Sequence, residues 1–250
     1  MITREDVGNI SVIRLSHGKV SALDVALCGA IVEAVNAVAA GPQRGLVLTG
    51  TGSSFSAGVD LFQVLDGGGG YLARFLPAMQ MLFRTLLEFE KPLVAAINGH
   101  AIAGGCIMAA TCDHRVMAEG KGRIGVPELL VGVPFPMVPF EIVRARVAPH
   151  VFRQLVFGGR TVEAQEAVGL GLADEAAPPE SVMPQALSAA GRLASIPAIT
   201  FALTKRTFTA PVLERIANAA ALNAEALEAW SSVAVQERIR AYVAATVGKK

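Results

Sequence analysis

Between Arg123 and Glu141 the chain carries one charged residue, Glu128, inside the stretch IGVPELLVGVPFPMVPF. Two environments suit it. Exposed at a helix start after Pro127, it would be an acid favoured by the helix dipole. Buried among its apolar neighbours, it would be desolvated, its pKa would climb toward neutrality, and it could move a proton as a general acid or base. Two small-residue segments accompany it, Gly50 to Leu61 (GTGSSFSAGVDL) and Asn98 to Cys106 (NGHAIAGGC). Each follows a short apolar run and precedes a helical one, the arrangement that turns backbone N–H groups toward an anion. The first lacks the Gly-Lys-Ser/Thr of a phosphate-binding loop and the Gly-x-Gly-x-x-Gly spacing of a dinucleotide site, and Ser54 and Ser56 sit in no Gly-x-Ser-x-Gly elbow. Both segments also have a structural alternative, a tight turn in the first and close helix packing through Gly104 and Gly105 in the second. His17, His100, His114 and His150 form no pair at ligand spacing, and Cys28, Cys106 and Cys112 read as small buried hydrophobes, so no metal site is expected. Asp60 reads as a helix cap, Asp113 beside His114 is no catalytic dyad by adjacency alone, and Trp230 reads as core or interface.

The elements that must position these residues alternate through the first half. Asn9 to Leu15 reads as a strand, and Asp24 as the N-cap of a helix to Ala40 that Gly41-Pro42 stops. Gly45 to Thr49 is a short apolar strand, Thr51 to Ala57 a loop, and a helix starts near Asp60. Four glycines after Asp66 read as a flexible loop through Gly70, followed by an amphipathic helix from Tyr71 to Glu90 kinked near Pro77. Leu93 to Ile97, His114 to Ala118 and Arg123 to Val126 read as further strands. Beyond Pro149 the chain is Ala-rich and helical, with segments at Val151–Phe157, Val162–Val168, Ser181–Ser195, Pro197–Thr209, Pro211–Trp230 and Val233–Thr246. Strand–helix alternation followed by helices gives an α/β fold with a C-terminal helical extension.

Composition sets the outer bounds. With 250 residues, 52% hydrophobic and 17% charged, the chain supplies a large core and is not disordered. Its 22 Lys and Arg nearly cancel 21 Asp and Glu, which gives no reason to expect a nucleic-acid partner. The charge-free run from Pro92 to Cys112 is long enough to span a bilayer, but Asn98-Gly99-His100 and Gly104-Gly105 interrupt it, so strand, turn and helix are expected there instead of a membrane span. The opening MITREDVGNI resembles no leader and the closing VGKK no receptor-read address, so a cytoplasmic location is expected.

Three strings, SFSAGVDL (54–61), KPLVAAINGHAIAGGCIMAATCDHRVMAE (91–119) and IGVPELLVGV (124–133), supported by GRTVEAQEAVGLGLADEA (159–176), resemble the crotonase (enoyl-CoA hydratase/isomerase) superfamily. The resemblance implies a crotonase-like spiral of ββα turns forming two stacked sheets, with residues 1–195 as the spiral core. It assigns 196–250 to a C-terminal helical region for oligomerisation and pocket closure. It also implies an acyl-CoA thioester substrate, no cofactor beyond the CoA that the substrate carries, and a homotrimer or hexamer. By position, the backbone N–H groups of Val59 and Gly104 would hold a thioester enolate, and Glu128 would be the acid/base. The CoA moiety would lie along Ser21, Ala22 and Leu23 and the loop Ala57, Gly58, Val59, Asp60 and Leu61. Hydratases carry a second glutamate where this chain has Ile107, which cannot move a proton or orient water. The chain therefore looks more like the Δ3,Δ2-enoyl-CoA isomerases of fatty-acid β-oxidation, a likeness shared by IPAITFALTKR (196–206). A 2-enoyl-CoA hydratase, another crotonase reaction, or a non-catalytic acyl-CoA binder are the alternatives. Where hydratases have a Gly-rich helix start, Pro134, Phe135 and Pro136 should reshape the acyl wall, and Asp66 and Glu141 are the other acids that could reach the pocket.

Overall fold

The computed structural model describes residues Met1–Thr246; the closing VGKK, inspected above for an address, lies outside the described residues. The chain opens with β1 (Ile2–Val7), paired antiparallel with β2 (Ile10–Leu15), and α1 (Val25–Ala40) follows, with Asp24 capping it by accepting from the Leu27 N–H. Three units of the same kind come next. They are β3 (Gly45–Thr49), β4 (Ser54–Ser56) and α2 (Leu61–Glu88); β5 (Leu93–Ile97), β6 (His100–Ile102) and α3 (Gly104–Thr111); and β7 (His114–Ala118), β8 (Ile124–Gly125) and α4 (Glu128–Val131). In each, the first strand joins a six-stranded sheet of order β1-β2-β3-β5-β7-β10, with β10 at Glu175–Ala177, and the second joins a four-stranded sheet of order β4-β6-β8-β9, with β9 at Thr161–Val162. The pairings β3/β5, β5/β7, β4/β6 and β6/β8 are all parallel. This is the expected spiral of ββα turns. The helices α5 (Met137–Arg144), α6 (Pro149–Gly158), α7 (Ala164–Leu170), α8 (Pro179–Ala194), α9 (Ala198–Asn218), α10 (Ala220–Ala229) and α11 (Val233–Thr246) complete it.

The inner strands β3 and β5 of the large sheet are buried on both faces, which is why they read as continuous apolar runs. Leu46, Leu48, Ala95 and Ile97 face the main core, while Val47, Val94 and Val116 face Val182, Ala186 and Ala190 of α8. Val212, Ile216, Trp230, Ile239 and Val243 from the C-terminal helices enter the main core. The charge-free run from Pro92 to Cys112 becomes β5, β6 and α3, and among the described residues no single helix is long and apolar enough to cross a membrane.

Several expectations need correction. Strand β1 left no apolar pattern because all but its first residue are exposed; the backbone ladder to β2 holds it. The segment Asp66–Gly70 is no loop but lies within α2, where Gly68 alone departs from helical dihedrals (φ 53°, ψ −147°). Apolar burial on both sides of it, from Val64 and from Tyr71, Leu72 and Phe75, carries the helix through poor formers. The kink is therefore at Gly68, and Pro77 keeps helical dihedrals. Pro211 likewise falls inside the single helix α9 instead of separating two.

Gly69 and Gly70 are helical and an added Cβ at either meets nothing within 4 Å. Gly69→Ala and Gly70→Ala should each stabilise by about 0.5–1 kcal/mol and raise Tm by about 1–4 °C, whereas Gly68→Ala should lower it. Scanning calorimetry of the three variants checks the order.

Candidate active site

Because β4 and β6 pair in parallel, with Ser54 opposite His100 and Ser56 opposite Ala101, the segments leaving their C-terminal ends lie side by side. One is Ala57–Asp60 and the other is Ala103–Gly104. Contact between them is close enough that a Cβ on Gly58 (φ 82°) would stand 2.6 Å from the Ile102 carbonyl oxygen and 3.1 Å from the Gly104 nitrogen. Ala103 takes φ 50°, ψ −119°, a strained conformation for a residue with a side chain, and turns the chain into α3 at Gly104. Leu23 fixes the other segment: its N–H donates to the Gly58 carbonyl at 2.7 Å, and its carbonyl accepts from the Asp60 N–H at 2.9 Å. The groups on either side of Val59 are thus used. The N–H groups of Val59 and Gly104 have no acceptor among the described residues.

Supporting contacts hold this arrangement. Ser56 Oγ donates to the Ser21 carbonyl at 2.7 Å, and Asp60 caps α2 by accepting from the Phe62 and Gln63 N–H groups. Gln63 Nε2 donates to Asp24 at 3.0 Å, and the same Asp24 oxygen meets His17 Nε2 at 2.7 Å. A Cβ on Gly105 would stand 2.3 Å from the Ser56 carbonyl oxygen, so this glycine serves close packing of α3 on β4. For Gly105 the packing alternative is the right one.

The two free N–H groups border a cavity of about 480 Å³. Of the residues picked from the sequence, Ala22, Ala57, Val59, Asp60, Leu61, Gly104, Ile107 and Glu128 line it, while Ser21, Leu23 and Gly58 lie behind its wall. Phe135 and Pro136 line it too, as do Met79, Phe83 and Tyr242, each of which looks like a core residue in its own helix, and Trp230, which caps α10; none carries a local signal of a site. Lys19 and His17 also belong to the lining.

Glu128 combines both environments that its sequence allowed. It is the first residue of α4, directly after Pro127, and only 8% exposed. Its Oε2 has no hydrogen-bond partner, and burial pushes its pKa up to about 8. Its own backbone N–H pulls the pKa the other way, but desolvation outweighs it. The competing acids are accounted for. Both Glu141 oxygens are engaged, one by Arg144 at 3.0 Å and the other by Arg215 at 2.5 Å, and neither Glu141 nor Asp66 lines the cavity. Asp60 is a cap. Asp113 pairs with Lys205 at 2.7 Å and His114 with Glu175 at 2.9 Å, so no dyad forms between neighbours. Among the described residues no cluster of His, Cys, Asp or Glu could hold a metal.

Two unpaired N–H groups and one buried, protonatable carboxyl lining the same mostly apolar cavity can hold an oxyanion while a proton moves nearby. Comparison with known proteins gives the chain its family. The family profile for enoyl-CoA hydratase/isomerase matches residues 5–246. The chain belongs to this family. It is 31% identical over 198 residues to the crotonyl-CoA hydratase of Syntrophomonas wolfei, covering 78% of this chain and 76% of that one. Its identity with the mitochondrial enoyl-CoA delta isomerase 1 of Rattus norvegicus is 29% over 208 residues, 82% of this chain and 72% of the relative. The crystal structure of human mitochondrial delta3-delta2-enoyl-CoA isomerase superposes with a TM-score of 0.95 at 25% identity, covering 100% of this chain and 99% of that one. The protein is thus an enoyl-CoA hydratase/isomerase family enzyme with the crotonase fold.

A carboxyl whose pKa rises from about 4.5 in the unfolded chain to about 8 in the folded one binds its proton more tightly when folded. The folded state therefore loses stability as pH rises through that window, and loses no more above it. Glu128→Gln removes the ionisation. Its Tm should exceed that of the wild type by a margin that grows from pH 5 to pH 8 and then levels, measured by thermal melts across pH.

Proposed function

We propose that the protein isomerises 3-enoyl-CoA to trans-2-enoyl-CoA with Glu128 as its single acid/base. The observation that carries this is the cavity wall itself: Glu128 is the acid there with a buried, unpartnered oxygen, and aliphatic Ile107 lines it at the position that, by the family resemblance, holds a second glutamate in hydratases. Moving a double bond from C3–C4 to C2–C3 needs one carboxylate. Ionised Glu128 takes the C2 proton, the thioester carbonyl becomes the oxygen of a dienolate, and the N–H groups of Val59 and Gly104 donate to it. Glu128 then returns the proton to C4, so the substrate and the enzyme end with the atoms and charge they began with. Each preorganised donor in a dry site contributes on the order of 3–4 kcal/mol to holding the oxyanion.

Adding water to a double bond asks for more, one group to deprotonate the water and another to protonate carbon. An aliphatic side chain at 107 supplies neither. The CoA of the substrate runs, in this proposal, along Ser21–Leu23 and Ala57–Leu61, and no further cofactor is called for. The proposal also includes a homotrimer or hexamer and a place in fatty-acid β-oxidation, both supported by the family resemblance, and a cytoplasmic location, which suits the three free, buried cysteines. Sedimentation equilibrium should give three or six times the 26.0 kDa chain mass.

Purified protein should convert 3-enoyl-CoA faster than it hydrates crotonyl-CoA, and Glu128→Gln should cut isomerisation about 10²- to 10⁴-fold. Because the base must be ionised, kcat/KM should rise with pH toward a plateau above the Glu128 pKa of about 8. Brisk hydration of crotonyl-CoA would transfer the assignment to a hydratase, as one relative's name would have it. Tight CoA binding without turnover of any enoyl-CoA would make this a non-catalytic binder.

A further inference from the structure

Helix α3 is buried along all 8 of its residues and spans about 12 Å at 1.5 Å per residue. Its first residue, Gly104, faces the cavity. Its far end leaves carbonyls that the helix cannot pair. Arg146, in the turn after α5, takes two of them: Nε donates to the Ala110 carbonyl at 2.5 Å and Nη2 to the Thr111 carbonyl at 3.2 Å. The same guanidinium lies 5.2 Å from the centre of the Phe208 ring. Neighbouring cations are neutralised by carboxylates, Arg115 by Asp174 at 2.8 Å and Lys205 by Asp113 at 2.7 Å. Arg146 has no carboxylate partner among the described residues. Burial and the nearby Arg115 pull its pKa down, yet a guanidinium stays protonated at neutral pH.

A cation placed there has two physical consequences. A helix terminus carries about half an elementary charge, negative at the C-terminal end. Left bare, that negative pole would oppose an anion forming at the other end of the same buried helix; a guanidinium on it removes the opposition. The two-pronged contact also fixes α3 along its axis, since Nε and Nη2 grip successive carbonyls. A donor must stand within a few tenths of an ångström of its place to act on an oxyanion. Moreover, Arg146 follows Ala145, the C-cap of α5, and Pro136 and Pro139 at the start of that helix line the cavity, so one side chain ties the acyl wall to the donor helix.

We propose that Arg146 is a positioning residue for the oxyanion donor Gly104, acting through the C-terminal carbonyls of α3. The proposal rests on the enolate chemistry given above for the same site. Its signature is a fall in kcat at nearly constant KM, because the Arg146 contact matters when charge develops on the thioester oxygen and does little for ground-state binding.

The test uses two readouts on the full chain: isomerisation of 3-enoyl-CoA, and exchange of the C2 protons of butyryl-CoA in D2O followed by NMR. The second needs only enolisation, in which the C2–H bond breaks, Glu128 takes the proton and a solvent deuteron returns. Arg146→Met should lower kcat in both by about 10-fold or more with KM within about twofold. Arg146→Lys, which keeps the charge but not the fork, should fall between it and the wild type, and guanidinium ion should restore part of the activity of Arg146→Ala. Val182→Ala, in the α8–sheet core far from the cavity, serves as the control for lost stability and should keep its kcat. If Arg146→Met does not fold, Arg146→Lys decides alone, by a kcat reduced about threefold or more at unchanged KM. Wild-type kcat in the folded variants, or a loss no larger than that of Val182→Ala at equal loss of Tm, overturns the role of Arg146 and leaves the enolate chemistry standing. A wild type that neither isomerises nor exchanges overturns both.

Discussion

The site depends on a constraint that folding normally avoids. Two backbone N–H groups, from segments that share no hydrogen bond with each other at that point, must be kept without acceptors at a half-open, mostly apolar cavity. Folded chains pair nearly all buried backbone donors, and an unpaired one costs on the order of 1–3 kcal/mol. The surroundings over-determine the arrangement. The parallel register of β4 and β6 brings the segments together, Leu23 occupies the peptide groups flanking Val59, and Gly58 has no room for a Cβ. Ala103 holds a positive φ at the turn into α3, so the same local strain that frees the Gly104 N–H also aims it. Most of the spiral can be understood as the frame that makes this local cost tolerable.

Desolvation links the donors to the acid. The cavity that weakens competition from water for the N–H groups also raises the pKa of Glu128, since charge is disfavoured wherever water is excluded. Its place at the start of α4 would favour a carboxylate, but α4 has 4 residues, and so short a helix offers little against burial. The other acids nearby are treated differently. Asp60, Asp24 and Glu141 each accept two or more hydrogen bonds, which leaves them structural. One carboxyl with an oxygen left unpartnered among several that are satisfied is a division of labour by hydrogen bonding, not by residue type.

What the sequence made legible follows the same logic. Glu128 stood out because its neighbours carry no charge, and β3 and β5 of the large sheet stood out because burial on both faces makes them continuously apolar. The strings around Val59 and Gly104 were legible as a family resemblance, whereas their small residues alone fitted a tight turn equally well. Strand β6 and the pairing of β4 were not legible, for three-residue strands leave no periodicity. The glycines at 67–70 misled because four poor helix formers outweigh their neighbours in any local count, while in the fold Val64 and Tyr71 bury the same helix on either side. Arg146 gave no signal at all. Its partners lie 35 and 36 positions away, and only the backbone of α3 tells it where to bind.

The C-terminal helices extend this interdependence to the acyl wall. Trp230 donates its Nε1–H to the Pro134 carbonyl at 3.1 Å, and Trp230, Tyr242 and Val243 line the cavity beside Phe135 and Pro136. A loop rich in proline has few backbone donors with which to fix itself, so an indole from nearly a hundred residues later supplies the anchor. Phe140 then stacks edge-on between Phe135 at 6.2 Å and Phe152 at 4.8 Å, carrying the packing from the wall into α6. The room available to an acyl chain is therefore set jointly by the Pro134–Pro136 turn and by the helices after residue 218. A substitution at Trp230 reaches the cavity by two routes, through its own ring and through the turn it anchors, and the two should not act additively.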